Sequence, residues 1–306
     1  MKDIVLSVIV ITYGQEKYIS QALDSILCQK TQYEYEVLVG EDASPDNTRN
    51  ILKEYEKKYP DIFTMIYRDV NAGGQGAENC KDLIRRARGR YICFLEGDDF
   101  WTCDTKVEEQ VAFLEQHEEY NAISCNTLIV DQNSLCTKEK YPECKDDEYT
   151  LKHFRRNILP GQTACLIYRT DVFRRIMQDR IWDSNPNPGD RVLYLGMASL
   201  GKVFCIQKTM SAYRHITNEG ASYSANNKRD FSTEIEWCIQ LIEFARRINS
   251  IESEVTAEAR FFAVLCIEGL LKKKINLRDF FFMLRNIKHK MRVLVVKSMD
   301  FVVKLC

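Results

Sequence analysis

The sequence predicts an α/β fold with a mostly parallel, Rossmann-like central sheet, flanked by helices and followed by a helical C-terminal extension. The first observation is that short apolar, β-branched runs alternate with amphipathic helical patterns over the first hundred residues. Such alternation is typical of right-handed βαβ units, whose parallel strands are buried on both faces. The second observation is that the pattern from about residue 229 to the end is helical throughout.

The elements of the first hundred residues follow from these two periodicities. Strands are predicted from near-continuous apolar runs and helices from apolar residues at helical spacing. Ser44 and Pro45 predict a helix start, with serine as the N-cap and proline at the first helical position. The predicted elements are a strand at 5–13, a helix at 15–29, a strand at 35–42, a helix from 45 to about 59, a strand at 62–68, a helix ending near 88 and a strand at 90–95.

The pattern after residue 101 is looser but still mixes the two element types. A polar, acidic loop is predicted at 131–149. The other predicted elements are helices at 105–117, near 171, near 190, at 231–248, at about 254–271 and from 277 onward, and strands at 121–130, 161–169 and 202–208.

Composition excludes several classes of protein. The 306 residues carry 43 Lys and Arg against 44 Asp and Glu, so the chain has no positive surplus suited to nucleic acid. No apolar run is long enough for a spanning helix, and the N-terminus reads as a strand rather than a signal peptide. The 12 cysteines are scattered without a Cys-x-x-Cys pair, which favours reduced thiols in a cytoplasmic protein.

Three carboxylates follow the fourth predicted strand within the stretch "YICFLEGDDFW". Glu96, Asp98 and Asp99 would repel one another by about 3 kcal/mol per pair at separations of about 6 Å and an effective dielectric near 20. A bound cation would cancel this repulsion. The alternative is an acidic turn that caps the next helix, but Asp104 and Thr105 already offer that cap, so it explains at most one of the three acids.

Polar residues also follow the first two predicted strands, at Thr12–Tyr13 and Glu41–Asp42. In open parallel sheets, ligands bind at the carboxyl ends of the strands. We therefore expect these residues and the acidic cluster to lie along one edge of the sheet and to form a binding site there.

Five blocks of sequence, in register, resemble the inverting nucleotide-sugar glycosyltransferases of the large bacterial family 2, of surface-polysaccharide type, which have the GT-A fold. The resemblance covers roughly residues 1–225. The blocks are "LSVIVITYGQEKYISQALDSILCQ", "YEVLVGEDASPDNT", "NAGGQGAENCKDLIRRARGRYICFLEGDDFW", "GDRVLYLGMASLGKV" and "MSAYRHITNEGASYS".

The resemblance implies a divalent metal, Mn²⁺ or Mg²⁺, at the motif "LEGDD". Asp98 would be the metal ligand, with Glu96 and Asp99 contacting the donor ribose or waters on the metal. Hard cations of this kind prefer carboxylate oxygens and bridge them to a diphosphate. Glu96 stands where many relatives have aspartate, and this departure concerns the role of the first acid.

The resemblance also implies contacts with the donor nucleotide. Asp42 would accept a hydrogen bond from the imide N–H of a uracil-type base, and Thr12 and Tyr13 would line the same pocket. Asn79, in the first turn of the helix after a glycine-rich turn, would reach the donor. An Asx-type turn before the helix is the alternative explanation for this block, and it fits Asp46 better than Asp42.

Residues near the end of the match are implied in catalysis. Asp190, which follows a Pro/Gly-rich turn, corresponds to the general base that deprotonates the acceptor hydroxyl. A plain helix N-cap is the alternative, and Arg191 beside it departs from the family pattern. Arg214 and His215 would lie near the donor diphosphate, where a guanidinium stabilises the departing charge. A solvated charge is the alternative for both.

The resulting prediction is a metal-dependent glycosyltransferase that moves a sugar from a nucleotide-diphosphate donor, UDP-linked in the first instance, to a hydroxyl of a glycan or lipid-linked acceptor. Residues 1–225 would form the catalytic domain, with a nucleotide-binding half at 1–100 and an acceptor half at 101–225, and 226–306 a helical extension. Two alternatives are a metal-dependent nucleotidyltransferase and a non-catalytic nucleotide-sugar binding subunit. The region "ITYGQEKYIS" lacks the Gly-rich, basic signature of the former.

The C-terminal extension is basic and amphipathic. From 272 to 297 it has nine Lys and Arg residues against Asp279 alone, interleaved with apolar residues. Two roles are open for it: peripheral contact with the cytoplasmic face of the inner membrane, where lipid-linked acceptors reside, or packing on the catalytic domain or in a homodimer.

Overall fold

The computed structural model describes residues 3–73, 76–184, 189–216 and 230–305, except for the side chains of 184, 299 and 301–305. Parts of the blocks discussed above, at 74–75, 185–188 and 217–224, lie outside the described residues. The chain forms two compact units. The first comprises Met1–Glu148, Pro160–Arg175 and Val203–Asn227, and the second comprises Tyr149–Leu159, Ile176–Lys202 and Lys228–Cys306.

A nine-stranded sheet organises the first unit. The strand order is β3-β2-β1-β4-β8-β6-β9-β5, and β7 pairs with β9. Strands β3, β2, β1 and β4 are parallel, whereas β8 runs antiparallel to β4 and to β6. The strands are β1 (Leu6–Thr12), β2 (Tyr35–Glu41), β3 (Phe63–Tyr67), β4 (Tyr91–Glu96), β5 (Phe100–Trp101), β6 (Tyr120–Val130), β7 (Glu148–Tyr149), β8 (Ile167–Arg169) and β9 (Lys202–Arg214).

Helices pack on the parallel part of the sheet through their apolar stripes. Helix α1, for example, buries Ile19, Leu23 and Ile26 in the same core cluster as the β1 residues Val8 and Val10. The helices are α1 (Ile19–Leu27), α2 (Thr48–Lys58), α3 (Ala77–Arg86), α4 (Lys106–Gln116), α5 (Leu151–Arg155), α6 (Thr170–Met177), α7 (Gly189–Leu200), α8 (Phe231–Ile248), α9 (Ile251–Val264), α10 (Leu277–Met283) and α11 (Lys290–Leu305).

Several predicted elements differ from the structure. The strand predicted at 202–208 extends to Arg214, and the helix predicted at 15–29 is confined to Ile19–Leu27. Helix α2 begins at Thr48 with Asn47 as N-cap, not at Pro45, because Ser44 accepts a hydrogen bond from the Gly14 N–H. The strand predicted at 161–169 is confined to Ile167–Arg169, since Thr163–Cys165 forms a 3₁₀ turn. The C-terminal pattern is interrupted rather than continuous. A π-helical segment follows α9 at Leu265–Leu271, and a 3₁₀ turn follows α10 at Leu284–Asn286.

The second unit is helical and includes more of the chain than the predicted extension. Segments 149–159 and 176–202, predicted to belong with the first domain, group with the C-terminal helices. The reason is visible in α7, where the Ser199 hydroxyl accepts a hydrogen bond from the Ser253 hydroxyl of α9 at 2.7 Å. In the part of the chain that the structure describes, no helix is long and apolar enough to cross a membrane.

Candidate active site

The sheet brings the predicted strand-end residues to one edge. Strand β1 pairs with β2 so that Thr12 lies opposite Glu41, and with β4 so that Ile11 lies opposite Glu96. Because all three strands are parallel, their carboxyl ends and the loops that follow share this edge. We call the group formed by Thr12, Tyr13, Asp42, Glu96, Gly97 and Asp98 the strand-end site.

The loops after β1 and β2 are held to each other by main-chain donors. Gly14 has a positive φ of 67°, the left-handed region that glycine adopts readily. Three consecutive N–H groups then point at the neighbouring loop. Tyr13 stays 40% exposed beside this rigid turn, where a ligand can reach it. The three bonds run from Gly14 to Ser44 Oγ at 3.0 Å, from Gln15 to Thr48 Oγ1 at 2.9 Å and from Glu16 to Asp46 Oδ2 at 3.0 Å.

Gly97 leaves room for two polar side chains. A Cβ atom at this position would lie 2.4 Å from Gln15 Oε1 and 2.9 Å from Thr12 Oγ1, so only glycine fits. Both oxygens are buried and have no hydrogen-bond partner among the described residues. A buried polar atom without a partner costs about 1–3 kcal/mol, so these two oxygens indicate a surface that a polar ligand would complete.

The acidic cluster lies at the same place, with Asp99 buried and Glu96 and Asp98 half-buried. Burial raises the pKa of Asp98, against the opposing effects of Arg214 and of a side-chain hydrogen bond from Gln15. Burial, followed by repulsion from Asp98 and Glu96, raises the pKa of Asp99 well above its usual range. The three carboxylates therefore interact, as the sequence predicts, and a cation would relieve their repulsion.

Asp99 is used within the protein. Its Oδ1 accepts the main-chain N–H of Arg214 and its Oδ2 accepts Nε2 of Gln162, both at 2.8 Å. Its own N–H donates to the Glu96 carbonyl at 2.9 Å. With both carboxylate oxygens engaged, Asp99 fixes the turn that carries Asp98. The contact of Asp99 with the metal or the donor stays a prediction.

Arg214 has an internal role, and its predicted contact with phosphate stays a prediction. The side chain is buried, and its guanidinium lies 4.3 Å from the centre of the Tyr18 ring. Its donors bind acceptors in two loops and in helix α1, so it braces the Asp98 turn. The bonds run from Nε to the Asp98 carbonyl at 2.8 Å, from Nη1 to the Asp131 carbonyl at 2.9 Å and to Ser134 Oγ at 3.1 Å, and from Nη2 to Gln21 Oε1 at 2.8 Å.

Two further predicted donor contacts are engaged elsewhere. His215 lies with Nδ1 2.7 Å from Glu139 Oε2, in the acidic loop after β6. Asn79 is buried, with Oδ1 accepting from Arg68 Nε at 2.9 Å and Nδ2 donating to the Gly40 carbonyl at 2.8 Å. The amide of Asn79 thus ties helix α3 to β2 and to Arg68, which follows β3. The contacts of Asn79 and His215 with the donor stay predictions.

Asp42 keeps one oxygen available. Its Oδ1 accepts the Ala72 N–H at 2.8 Å, which holds the loop after β3. No described residue donates a hydrogen bond to Oδ2, although Arg68 Nε lies 3.9 Å from Oδ1. The side chain is 3% exposed, so Oδ2 is an acceptor in a nearly dry position.

Asp190 belongs to the second unit, in the first turn of α7. Its Oδ1 accepts the Arg191 N–H at 2.8 Å, and the Arg191 side chain donates to Asn157 Oδ1 at 2.9 Å. These contacts suit either a capping acid or a base held in a fixed orientation. The assignment of Asp190 as general base remains a prediction from the family resemblance.

Gln15, Gly97 and Gln162 were not among the predicted site residues. Gln15 and Gly97 could have been predicted from their positions, because both closely follow strands whose carboxyl ends carry predicted site residues. Gln162 precedes a 3₁₀ turn far along the chain, and no sequence pattern relates it to Asp99.

Comparisons with known proteins identify the family to which this chain belongs. A family model described as glycosyl transferase family 2 matches residues 7–177. An uncharacterised protein of Mycobacterium tuberculosis is 30% identical over 269 residues, which cover 82% of this chain and 73% of that protein. A UDP-Glc:alpha-D-GlcNAc-diphosphoundecaprenol beta-1,3-glucosyltransferase of Escherichia coli is 32% identical over 143 residues, which cover 47% of this chain and 53% of that enzyme.

A solved structure shares the fold. The crystal structure of residues 1–349 of S. aureus TarS in complex with UDP-GlcNAc matches 97% of this chain and 88% of that one, with a TM-score of 0.65 and 18% identity. The architecture is thus that of a GT-A glycosyltransferase, as predicted. The chain belongs to glycosyl transferase family 2. This membership confirms the predicted class of activity, glycosyl transfer.

Proposed function

We propose that this chain is a metal-dependent inverting glycosyltransferase that uses a UDP-sugar and glycosylates a hydroxyl of a glycan or lipid-linked glycan. The observation that carries the proposal is the strand-end site. It contains the buried carboxylate of Asp42 and the half-buried carboxylates of Glu96 and Asp98. Two buried oxygens at the same place, Thr12 Oγ1 and the neighbouring Gln15 Oε1, have no partner among the described residues. This arrangement is costly for a structural turn and suitable for a polar ligand.

The residues present fit a divalent cation. Among the described residues, Glu96, Asp98 and Asp99 do not form a group of three ligand atoms within 4.8 Å of one another. Three protein ligands are not required, however, because Mg²⁺ is commonly held by one or two carboxylates together with phosphate oxygens of the substrate. We assign Asp98 as the main ligand and Glu96 as the second acid, with Asp99 positioning them. When bound, the ion would neutralise charge on the nucleoside diphosphate.

The donor base would lie against the loops after β1 and β2. Asp42 Oδ2 would accept the imide N–H of uracil, and a carboxylate makes this hydrogen bond stronger than a neutral acceptor would. Tyr13 is exposed enough to stack on the base, and Thr12 Oγ1 would gain the partner it lacks. TarS, whose solved structure contains UDP-GlcNAc, supports a UDP-sugar as the donor to test first.

The transfer step would be a direct displacement. The acceptor oxygen attacks the anomeric carbon, the bond from that carbon to the diphosphate breaks, and the configuration inverts. Asp190 would accept the proton of the acceptor hydroxyl as attack proceeds. A hydroxyl is a poor nucleophile until a base within reach removes its proton. Arg214 and Asp99 would act as positioning residues that hold the Asp98 turn in place.

The acceptor is inferred from a relative. The similar E. coli enzyme has a name that gives a diphosphoundecaprenol-linked sugar as its acceptor. A lipid-linked acceptor of this kind would require the chain to work at a membrane surface.

A donor screen tests the proposal. The chain would be incubated with UDP-glucose, UDP-GlcNAc, UDP-galactose, GDP-mannose or dTDP-rhamnose, with Mn²⁺ or with EDTA, and release of nucleoside diphosphate would be followed. We expect release from a UDP-sugar that depends on Mn²⁺ and rises on addition of a lipid-diphosphate sugar acceptor. The proposal would be contradicted if no donor were bound and none released its nucleoside diphosphate. Tight UDP binding without turnover would indicate a binding subunit.

A further inference from the structure

Helix α10 in the second unit exposes aromatic side chains. Phe280 is buried, and its ring lies 6.4 Å from that of Phe262 in α9, so this residue anchors the helix. The next two residues, Phe281 and Phe282, are each 64% exposed. Large side chains of this kind are usually placed in a core, so two adjacent exposed phenylalanines need an explanation.

The exposed residues of α10 share one side of the helix. Leu277 and Phe281 are four residues apart, as are Arg278 and Phe282, so each pair lies along the same face. Leu277 is 64% exposed, and Leu271, at the end of the preceding π-helical segment, is 77% exposed. We call the surface of α10 formed by Leu277, Arg278, Phe281 and Phe282 the Phe281 face.

The C-terminal segment that contains this face also carries cations without an acidic partner among the described residues. Lys272 and Lys274 have an acidic neighbour, Glu268. Lys273 and Arg278 are exposed and form no ion pair with any described residue, and the same holds for Lys290 and Arg292 at the start of α11. The Arg285 guanidinium lies 5.0 Å from the centre of the Phe282 ring, so charge also lies directly against the apolar surface.

We propose that the Phe281 face inserts into the headgroup region of an anionic lipid bilayer. The aromatic and leucine side chains would enter the boundary between headgroups and acyl chains, while Lys273, Arg278 and Arg285 would contact lipid phosphates. Exposed apolar residues and unpaired cations on one short segment are the combination that binds such a surface. The inference rests on the proposed function, because a lipid-linked acceptor would be presented at a membrane surface.

The charge of the segment favours a bilayer over a second copy of the chain. A symmetric dimer through the Phe281 face would bring Arg278 and its neighbouring cations against the same residues of the other copy. Like charges in contact at an interface are unfavourable, and Asp279 is the one acid between 272 and 297 that could offset them. An anionic membrane matches both the apolar and the cationic parts of the surface.

Sedimentation with lipid vesicles tests the inference. The chain of 306 residues would be mixed with vesicles of phosphatidylcholine, with or without phosphatidylglycerol as a third of the lipid. We expect binding to the anionic vesicles that weakens as salt is added. Phe281→Ser with Phe282→Ser should weaken the partition at least about tenfold. Lys273→Gln and Arg278→Gln should each weaken it about fivefold.

Matched controls separate this surface from general stickiness. Leu135→Ser removes an apolar side chain that is also 64% exposed but lies in the first unit, and Lys53→Gln removes an exposed lysine of α2. Neither should change vesicle binding. Thermal unfolding of each variant would establish that it is folded.

Three results would overturn the inference: no binding of the wild type to anionic vesicles, equal binding by the phenylalanine variants, or a dimer in light scattering that these variants dissociate. Binding of UDP by the same samples without vesicles separates the two proposals. If the wild type binds UDP but not vesicles, only the membrane inference is contradicted. If the wild type does not bind UDP, the proposed function is contradicted.

Discussion

The acids of the strand-end site and the buried acids of α9 differ in what satisfies them. In α9, Glu258 accepts the main-chain N–H groups of Lys288 and His289, each at 2.9 Å, and His289 Nε2 lies 3.1 Å from Glu254 Oε2. The ligand atoms of these three side chains lie within 4.8 Å of one another, close enough to suggest a metal site. Here, however, N–H donors already occupy the carboxylates, and the group fixes the start of α11.

The strand-end site shows the opposite arrangement. Its acids are adjacent to one another, and Thr12 Oγ1 and Gln15 Oε1 beside them have no partner among the described residues. A dense group of potential ligands is therefore a poor guide to function by itself. Buried atoms without a partner are not sufficient either, since Ser211 Oγ and Arg260 Nε also have none among the described residues. The strand-end site has both features together, at the edge of the sheet where ligands bind.

The largest expected effect is that of Asp98→Asn. Loss of the main metal ligand should lower turnover about a thousandfold, because several kcal/mol of charge stabilisation would be removed. The melting temperature should stay the same or rise, since one of three repelling charges is gone. Asp104→Asn, which changes an exposed acid paired with Lys30, is the matched control and should keep full activity. Comparable turnover by Asp98→Asn would exclude Asp98 as the ligand.

Asp190→Asn should lower turnover about a hundredfold or more while UDP binding is unchanged, as expected for a base that acts only during transfer. Asp171→Asn provides the control, because Asp171 is also an acid in the first turn of a helix. If both variants lose activity equally, or neither does, Asp190 is a helix-capping acid.

In the second unit the expected effect is on stability. Glu258→Gln replaces an acceptor of two main-chain N–H groups by an amide that can satisfy only part of the pair, and we expect a loss of about 2–3 kcal/mol in the free energy of unfolding. Glu252→Gln, at an exposed position of the same helix, should cost less than about 1 kcal/mol. Urea denaturation measures both. A stabilising effect of added Zn²⁺ on the wild type, lost in Glu258→Gln, would instead show that the α9 group binds metal.

The smallest expected effect concerns pH. Burial opposes ionisation of Asp179, but hydrogen bonds from Arg247, at 2.6 and 2.7 Å, and from the Ile181 N–H lower the pKa of Asp179 below 3.8. A lowered pKa in the folded state adds stability above pH 3.8, and this stability is lost as the pH falls through the folded-state pKa. Asp179→Asn should therefore be less stable by about 1 kcal/mol at neutral pH, with the difference disappearing in acid. A constant difference down to the lowest pH would contradict this.

The sequence predicts the sheet and the edge at which the site lies. Both follow from the periodicity of apolar residues and from the positions of strand ends, which can be read from short stretches of sequence. It could not predict which polar side chains stay available. Asn79 and Arg214 are polar residues at positions that the family resemblance assigns to donor binding. In the structure, both form hydrogen bonds with carbonyls and side chains from distant parts of the chain. Whether a polar group is satisfied depends on such non-local contacts. The grouping of 176–202 with the C-terminal helices likewise depends on packing that periodicity does not encode.

Calorimetric titration of UDP into the chain, with Mn²⁺ or with EDTA, tests the central claim most directly. If the strand-end carboxylates hold a cation that grips the diphosphate, Mn²⁺ should tighten UDP binding by about tenfold or more in the wild type and have little effect in Asp98→Asn. Equal affinity for UDP with and without Mn²⁺ in the wild type would contradict the account.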